Sequence, residues 1–256
     1  MPKSYIIIPA YNEGPNLGAV LQQLQQLAST MPLGVVVVND GSRDNTLQEA
    51  ERVRDQFDVQ IVTHPVNLGV PMTFYDGLVA AAAKAQPDDA IFIIEGDGTS
   101  DLKLLPEMAR RIYAGEDVVV ASRYIRGGGY LNFPWQRTWG SYVVNLVVSV
   151  FFHVKGITDY TIFYRAYRAA VVQRALQHFG SGFVTTTSFA ANLEVLLRMR
   201  PFSSRFSEVP LLYDYGLKKS QSKMNPFKTL REYQGLIVKR LLGRIPMRDL
   251  PNPPPK

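Results

Sequence analysis

Short, unbroken apolar runs separated by amphipathic stretches fill the first half of the chain. Tyr5-Ile6-Ile7-Ile8 is one such run, and Leu17, Val20, Leu21, Leu24 and Leu27 follow it at the three-and-four spacing of a helix face. A second run at 35–38 ends in Asn39-Asp40-Gly41-Ser42. Asp44 then fits the N-cap of a helix carrying Leu47, Ala50, Val53 and Phe57 on one face. The pattern predicts a third strand at 59–62, a helix at 69–85, a fourth strand at 90–94, a helix at 104–113 and a fifth strand at 117–121. Strands that are apolar at every position, not at alternate ones, are covered on both faces. Alternating with helices, they predict an α/β fold with a mostly parallel sheet flanked by helices.

The second half reads differently. Residues 136–154 predict a helix that is apolar nearly all round, 165–179 and 189–200 predict two more, and 206–213 predicts a late strand. Residues 226–244 form an amphipathic pattern, with Leu230, Tyr233, Ile237 and Leu241 on one face and Lys228, Arg231 and Lys239 on another. The expected organisation is one domain over 1–225, a basic amphipathic helical extension over 226–244, and a Pro-rich, disordered tail over 245–256.

Composition narrows the chemistry. The 256 residues include no cysteine, which excludes disulfides, zinc–thiolate sites and a thiol nucleophile and fits a reducing compartment. No run reaches the roughly 18 apolar residues of a membrane span, and the opening nine residues lack the apolar core of a signal peptide. The net charge of +6 is unevenly placed. Residues 216–256 hold ten Lys/Arg against two acids (+8), leaving 18 against 20 (−2) in the rest. A basic tail suits anionic lipid, a phosphorylated substrate or nucleic acid.

Candidate chemistry gathers where strands end. After the first strand comes Pro9-Ala10-Tyr11-Asn12-Glu13, after the second Asp40-Gly41-Ser42-Arg43-Asp44-Asn45-Thr46, and after the fourth Glu95-Gly96-Asp97-Gly98-Thr99-Ser100-Asp101. Parallel strands bring all three turns to one edge of the sheet, where open α/β sheets bind ligands. That edge offers a ring to stack on a base, a carboxylate (Asp40) to accept from base or ribose, and two carboxylates suited to Mg²⁺ bridged to phosphate. Together they describe a nucleoside diphosphate pocket. No P-loop and no Gly-x-Gly-x-x-Gly follows the first strand. His64, His153 and His178 fit no metal-ligand spacing.

These segments, with Asn67-Leu68-Gly69 and Ala121-Ser122-Arg123-Tyr124, resemble the family 2 glycosyltransferases, whose catalytic domain has the GT-A fold. Arg137 and Ser141, Asp159-Tyr160-Thr161, Tyr164-Arg165-Ala166-Tyr167, Glu208-Val209-Pro210 and Ser222-Lys223-Met224 narrow the likeness to the polyprenol (dolichol) phosphate mannosyltransferases and their glucosyl relatives. The likeness covers about residues 4–225.

It implies that Pro9, Tyr11, Glu13 and Asp40 hold the nucleoside, and that Asp97, with Glu95 beside it, holds Mg²⁺ or Mn²⁺. It implies further that Arg123, Arg137 and Ser141 bind the acceptor phosphate, joined by Lys223. Asp97, Arg123 and Arg137 are then the catalytic candidates. Two departures stand out. Glu95 replaces the commoner aspartate, and Lys218 or Lys219 stands where the family often carries an arginine after Glu-Val-Pro.

The implied reaction is an inverting, metal-dependent transfer of a hexose from a nucleotide sugar to a polyprenyl phosphate. GDP-mannose is the favoured donor, with UDP-sugars open. The implied setting is peripheral, on the cytoplasmic face of a membrane, with room for a membrane-protein partner subunit and no nucleic-acid partner. A hydroxyl acceptor, or a non-catalytic nucleotide-sugar-binding subunit, are the alternatives.

Overall fold

The computed structural model describes residues 2–218 and 223–245. Lys219, Ser222 and all but the first residue of the expected tail at 245–256 lie outside these. Five parallel strands form the body of the sheet: β1 (Ser4–Ala10), β2 (Leu33–Asn39), β3 (Val59–Thr63), β4 (Ala90–Ile93) and β5 (Val118–Ser122). The helices between them are α1 (Gly14–Ala28), α2 (Thr46–Glu51), α3 (Val70–Lys84) and α4 (Leu105–Tyr113). Ile6, Ile7, Ile8, Val37 and Val38 are fully buried, as expected of strands covered on both faces.

After β5 come the short β6 (Gly129–Leu131), the long α5 (Trp135–Phe152), β7 (Arg165–Arg168) and α6 (Ala169–Phe179). The chain closes with α7 (Ala191–Met199), β8 (Phe206–Pro210), β9 (Leu212–Asp214) and α8 (Pro226–Leu241). The seven-stranded sheet runs β3-β2-β1-β4-β7-β5-β8, and β6 and β9 pair apart from it. Only β7 runs against its neighbours in the large sheet.

Four local expectations fail. The first is the single helix at 165–179, whose first four residues instead form β7. Ala166 pairs with Phe92 on one side and Val119 on the other. The buried Arg165 guanidinium donates to the carbonyls of Asn192 and Tyr160, at 2.7 Å each. Pairing between two strands outweighs helical spacing here, and no Gly or Pro marks the change. Next, the strand at 206–213 is two strands in different sheets.

Asp44 is not an N-cap either. Asn45 precedes α2, and Asp44 accepts from the backbone of Thr46 (3.0 Å) and of Gly14 (3.1 Å), tying the β2 turn to α1. Finally, α8 is rotated from its expected setting. Tyr233 and Leu236 face the body, whereas Leu230 and Leu241 are exposed. Lys228 and Lys239 donate to the 185–187 loop at 3.0 Å each.

Candidate active site

The parallel order β2-β1-β4 puts the three acidic turns side by side around a cleft of about 360 Å³. Pro9, Tyr11, Glu13, Asp40, Glu95, Asp97 and Lys223 all line it, together with Asn67, Lys218, Lys228 and the stacked pair Phe163 and Phe189. The turns need unusual backbone. Gly41 has φ +66, and a Cβ there would lie 2.5 Å from the backbone carbon of Val66. Glycine is the residue that allows both the left-handed conformation and the close approach.

Each acid of the cleft is held differently. Asp40 accepts from the backbone N–H groups of Leu68 (2.8 Å) and Gly69 (2.9 Å) and meets His64 Nδ1 at 2.7 Å. His64 Nε2 in turn meets Asp76 at 2.9 Å. Asp40 thus fastens the end of β2 to the start of α3 and forms a rigid wall of the cleft. Glu13 meets Lys223 Nζ at 2.6 Å, and the same ammonium donates to the carbonyls of Asn12 (3.0 Å) and Tyr11. The resemblance grouped Lys223 with the acceptor arginines; its contacts here are with the β1 turn.

Glu95 and Asp97 share one threonine. Thr99 Oγ1 lies 3.0 Å from Glu95 Oε2 and 2.6 Å from Asp97 Oδ1, and the Thr99 N–H donates to Asp97 at 3.1 Å. The second Asp97 oxygen accepts from Lys218 Nζ. Burial, and then the Asp97 charge, push the Glu95 carboxyl up to about 7. Two crowded carboxylates, of which only Asp97 is paired with an ammonium, leave negative charge that a dication would neutralise. Mg²⁺ commonly takes one or two protein carboxylates and completes its shell with phosphate and water. The donor set fits that use. It does not fit an all-protein cage, since no group of three or more acidic or histidine ligands occurs among the described residues.

A second cluster stands beside the cleft at the foot of α5. Arg123 is buried and makes a two-pronged pair with Asp159, Nε to Oδ2 and Nη2 to Oδ1 at 2.7 Å each, with a third bond to Thr161 at 2.7 Å. Burial opposes its charge, but Asp159 more than compensates and holds its pKa above the ordinary arginine value. The rings of Tyr124, Tyr130 and Tyr213 surround the guanidinium at 5.2–5.9 Å. Ser141 lies 2.8 Å from the hydroxyls of both Tyr124 and Tyr130. Arg137, one turn earlier on α5, is exposed and donates to the Tyr215 hydroxyl at 2.9 Å.

Glu208 explains why a glutamate starts the Glu-Val-Pro segment. It accepts from the backbone of Thr158 (2.8 Å) and Asp159 (2.9 Å) and from the Thr158 hydroxyl (2.6 Å), fixing the loop that presents Asp159 to Arg123. Asp159, Thr99 and the three tyrosines are the participants that residue chemistry alone did not single out. Asp159 stood among the family-like segments without a role, because nothing in spacing joins residues 36 apart.

Comparison with known proteins agrees with this architecture. Residues 5–176 match the family model described as Glycosyl transferase family 2. Over 235 residues the chain is 24% identical to a dolichol-phosphate mannosyltransferase of Pyrococcus furiosus, covering 90% of this chain and 61% of that protein. It is 28% identical over 174 residues to a polyprenol monophosphomannose synthase of Mycolicibacterium smegmatis, covering 67% of this chain and 64% of that protein. The chain thus spans less than two thirds of either relative. Glucosyl-3-phosphoglycerate synthase of Mycobacterium tuberculosis, solved with Mn²⁺ or Mg²⁺ and UDP, has the same fold at 14% identity and a TM-score of 0.65, covering 97% of this chain and at least 80% of that one. The chain belongs to glycosyl transferase family 2.

Proposed function

We propose that the protein transfers a hexose, mannose before others, from a nucleotide sugar to a polyprenyl phosphate at a membrane surface, with inversion. The observation that carries this reading is the run of α5 beside the arginine–tyrosine cluster. Trp135 (69% exposed), Trp139 (66%), Val143, Leu146 and Val150 (70%) follow one another at helical spacing and face outward. The same helix carries Arg137 and Ser141. With that stripe seated in the interface, the first turns of α5, which carry Arg137 and Ser141 on the opposite face, would sit at the level of a lipid's phosphate. Tryptophans suit the boundary between headgroups and hydrocarbon. No helix among the described residues is long and apolar enough to cross a membrane, so contact of this kind would be interfacial. Because Lys228 and Lys239 are occupied by the 185–187 loop, the apolar stripe, and less the basic face of α8, would provide the attachment. Both relatives are named for polyprenyl or dolichyl phosphate chemistry, which supports the acceptor class.

In this reading Tyr11 and Asp40 border the nucleoside, and Asp97 with Glu95 would hold a divalent cation that stabilises charge building on the leaving diphosphate. Arg137 and Ser141 orient the acceptor phosphate. Arg123 keeps its pair with Asp159 and fixes the tyrosine shell that holds Ser141. A phosphate monoester has its second pKa near 6, so the attacking oxygen is already anionic at neutral pH. No general base is required, and rate enhancement rests on orientation and fixed charge.

The test is a product assay. Purified protein is mixed with GDP-mannose, UDP-glucose or UDP-N-acetylglucosamine and with polyprenyl phosphate in vesicles or free sugar acceptors, with Mg²⁺, Mn²⁺ or EDTA. A lipid-linked product of inverted anomeric configuration, lost in EDTA and reduced together with vesicle binding by Trp135→Ala/Trp139→Ala, is the expected result. Transfer to free sugars alone would overturn the acceptor assignment.

A further inference from the structure

We infer that Lys218 is a placeholder cation: it neutralises Asp97 while the cleft is free of donor, competes with a divalent cation for that carboxylate, and moves to the diphosphate when a nucleotide sugar enters. This rests on the metal-dependent reading above and adds a role for one side chain within it.

The acids of the cleft differ in what opposes them. Asp40 is satisfied by two backbone N–H groups and His64. Glu13 has Lys223. Asp97 Oδ1 already accepts twice from Thr99, so its Oδ2 is the oxygen left for an ion, and Lys218 Nζ sits on it. The two side chains are only 15% and 5% exposed, so water and salt screen their attraction weakly. Burial works against the Lys218 charge, but Asp97, and then Glu95 and Glu13, hold its pKa above the ordinary lysine value.

A dication and an ammonium on one carboxylate oxygen repel each other at contact distance, so one must leave. Lysine suits the leaving role. It is a point charge on a flexible four-carbon stem and can be re-aimed, whereas an arginine fork would hold a fixed two-pronged geometry. The destination is close at hand, since Lys218, Lys223 and Lys228 all line the same cleft. One ammonium therefore serves two anions in turn: a carboxylate in the free protein and a diphosphate in the loaded one.

The experiment compares wild type, Lys218→Met and Lys218→Arg at pH 8, with thermal melts confirming that each is folded. Free Mn²⁺ is titrated by electron paramagnetic resonance, with and without GDP or UDP. Binding of GDP and UDP is also measured in EDTA by calorimetry. Lys218→Met is expected to bind Mn²⁺ about tenfold more tightly in the absence of nucleotide and to bind metal-free nucleotide about tenfold more weakly. Lys218→Arg, which keeps the charge but holds it in a fixed fork, is expected to bind Mn²⁺ no more tightly than wild type. Equal or weaker Mn²⁺ binding by Lys218→Met overturns the inference. If every form binds nucleotide but none takes up Mn²⁺ even with nucleotide present, the metal-dependent reading fails and the inference falls with it.

Discussion

The acidic cleft and the arginine–tyrosine cluster at the foot of α5 are both charged and adjacent, yet they are built on opposite plans. The cleft gathers four carboxylates, Glu13, Asp40, Glu95 and Asp97, on turns at parallel strand ends, and lysines reach in from the C-terminal segment to oppose two of them. The cluster has one buried cation, Arg123, locked to one buried anion, Asp159, inside a shell of tyrosines. Lysine contacts exchange readily because the ammonium is a point charge on a flexible stem. A buried two-pronged ion pair does not, because parting it strands a charge in a poorly solvated site. The cleft is therefore built for exchange of ions and the cluster for permanence. Arg137, exposed and held by a single bond to Tyr215, is the exchangeable part of the second site.

Three substitutions would break or sharpen that contrast. The largest effect is expected from Asp97→Asn, which keeps an oxygen for Thr99 but loses the charge. Turnover should fall by about a thousandfold or more, with melting temperature close to wild type, in a radiolabelled-sugar transfer assay read beside a thermal melt. A loss below tenfold would remove Asp97 from the centre of the reaction.

Arg123→Met comes next and acts on stability. It leaves Asp159 buried without its partner, at a cost of about 3–5 kcal/mol, readable as a shift of the urea midpoint. A loss under about 1 kcal/mol, the range of an exposed pair, would mean that the pair is not the permanent structure described. The smallest effect belongs to Arg137→Ala. With an exposed side chain removed, stability should hardly change, while KM for polyprenyl phosphate rises about tenfold through loss of a charge-assisted bond and KM for the nucleotide sugar stays put. Equal rises in both constants would merge the two sites into one.

The same contrast sets how much could be read in advance. The cleft's acids were legible because each sits within a few residues of a strand end, and parallel order alone brings strand ends together. The cluster was legible only through family likeness, which gave Arg123, Arg137 and Ser141 but not what surrounds them. Asp159 comes from a loop fixed by Glu208, and Tyr130 and Tyr213 come from the small β6–β9 sheet, so no local spacing relates them to Arg123. Lys223 shows the limit on the other side. Its charge was evident, but its position on Glu13 joins residues 210 apart in the chain, which no local pattern relates.

By itself the sequence determined the alternation of covered strands and helices, the parallel edge with its three acidic turns, and the absence of cysteine chemistry, all consequences of local pattern and composition. Tertiary structure alone decided that 165–168 joins the sheet as an antiparallel strand, that the outward face of α5 is its tryptophan stripe, that α8 turns Tyr233 inward, and that Lys218 rests on Asp97. Each of these depends on partners distant in the chain, through strand pairing, competition for burial or the opposition of buried charge.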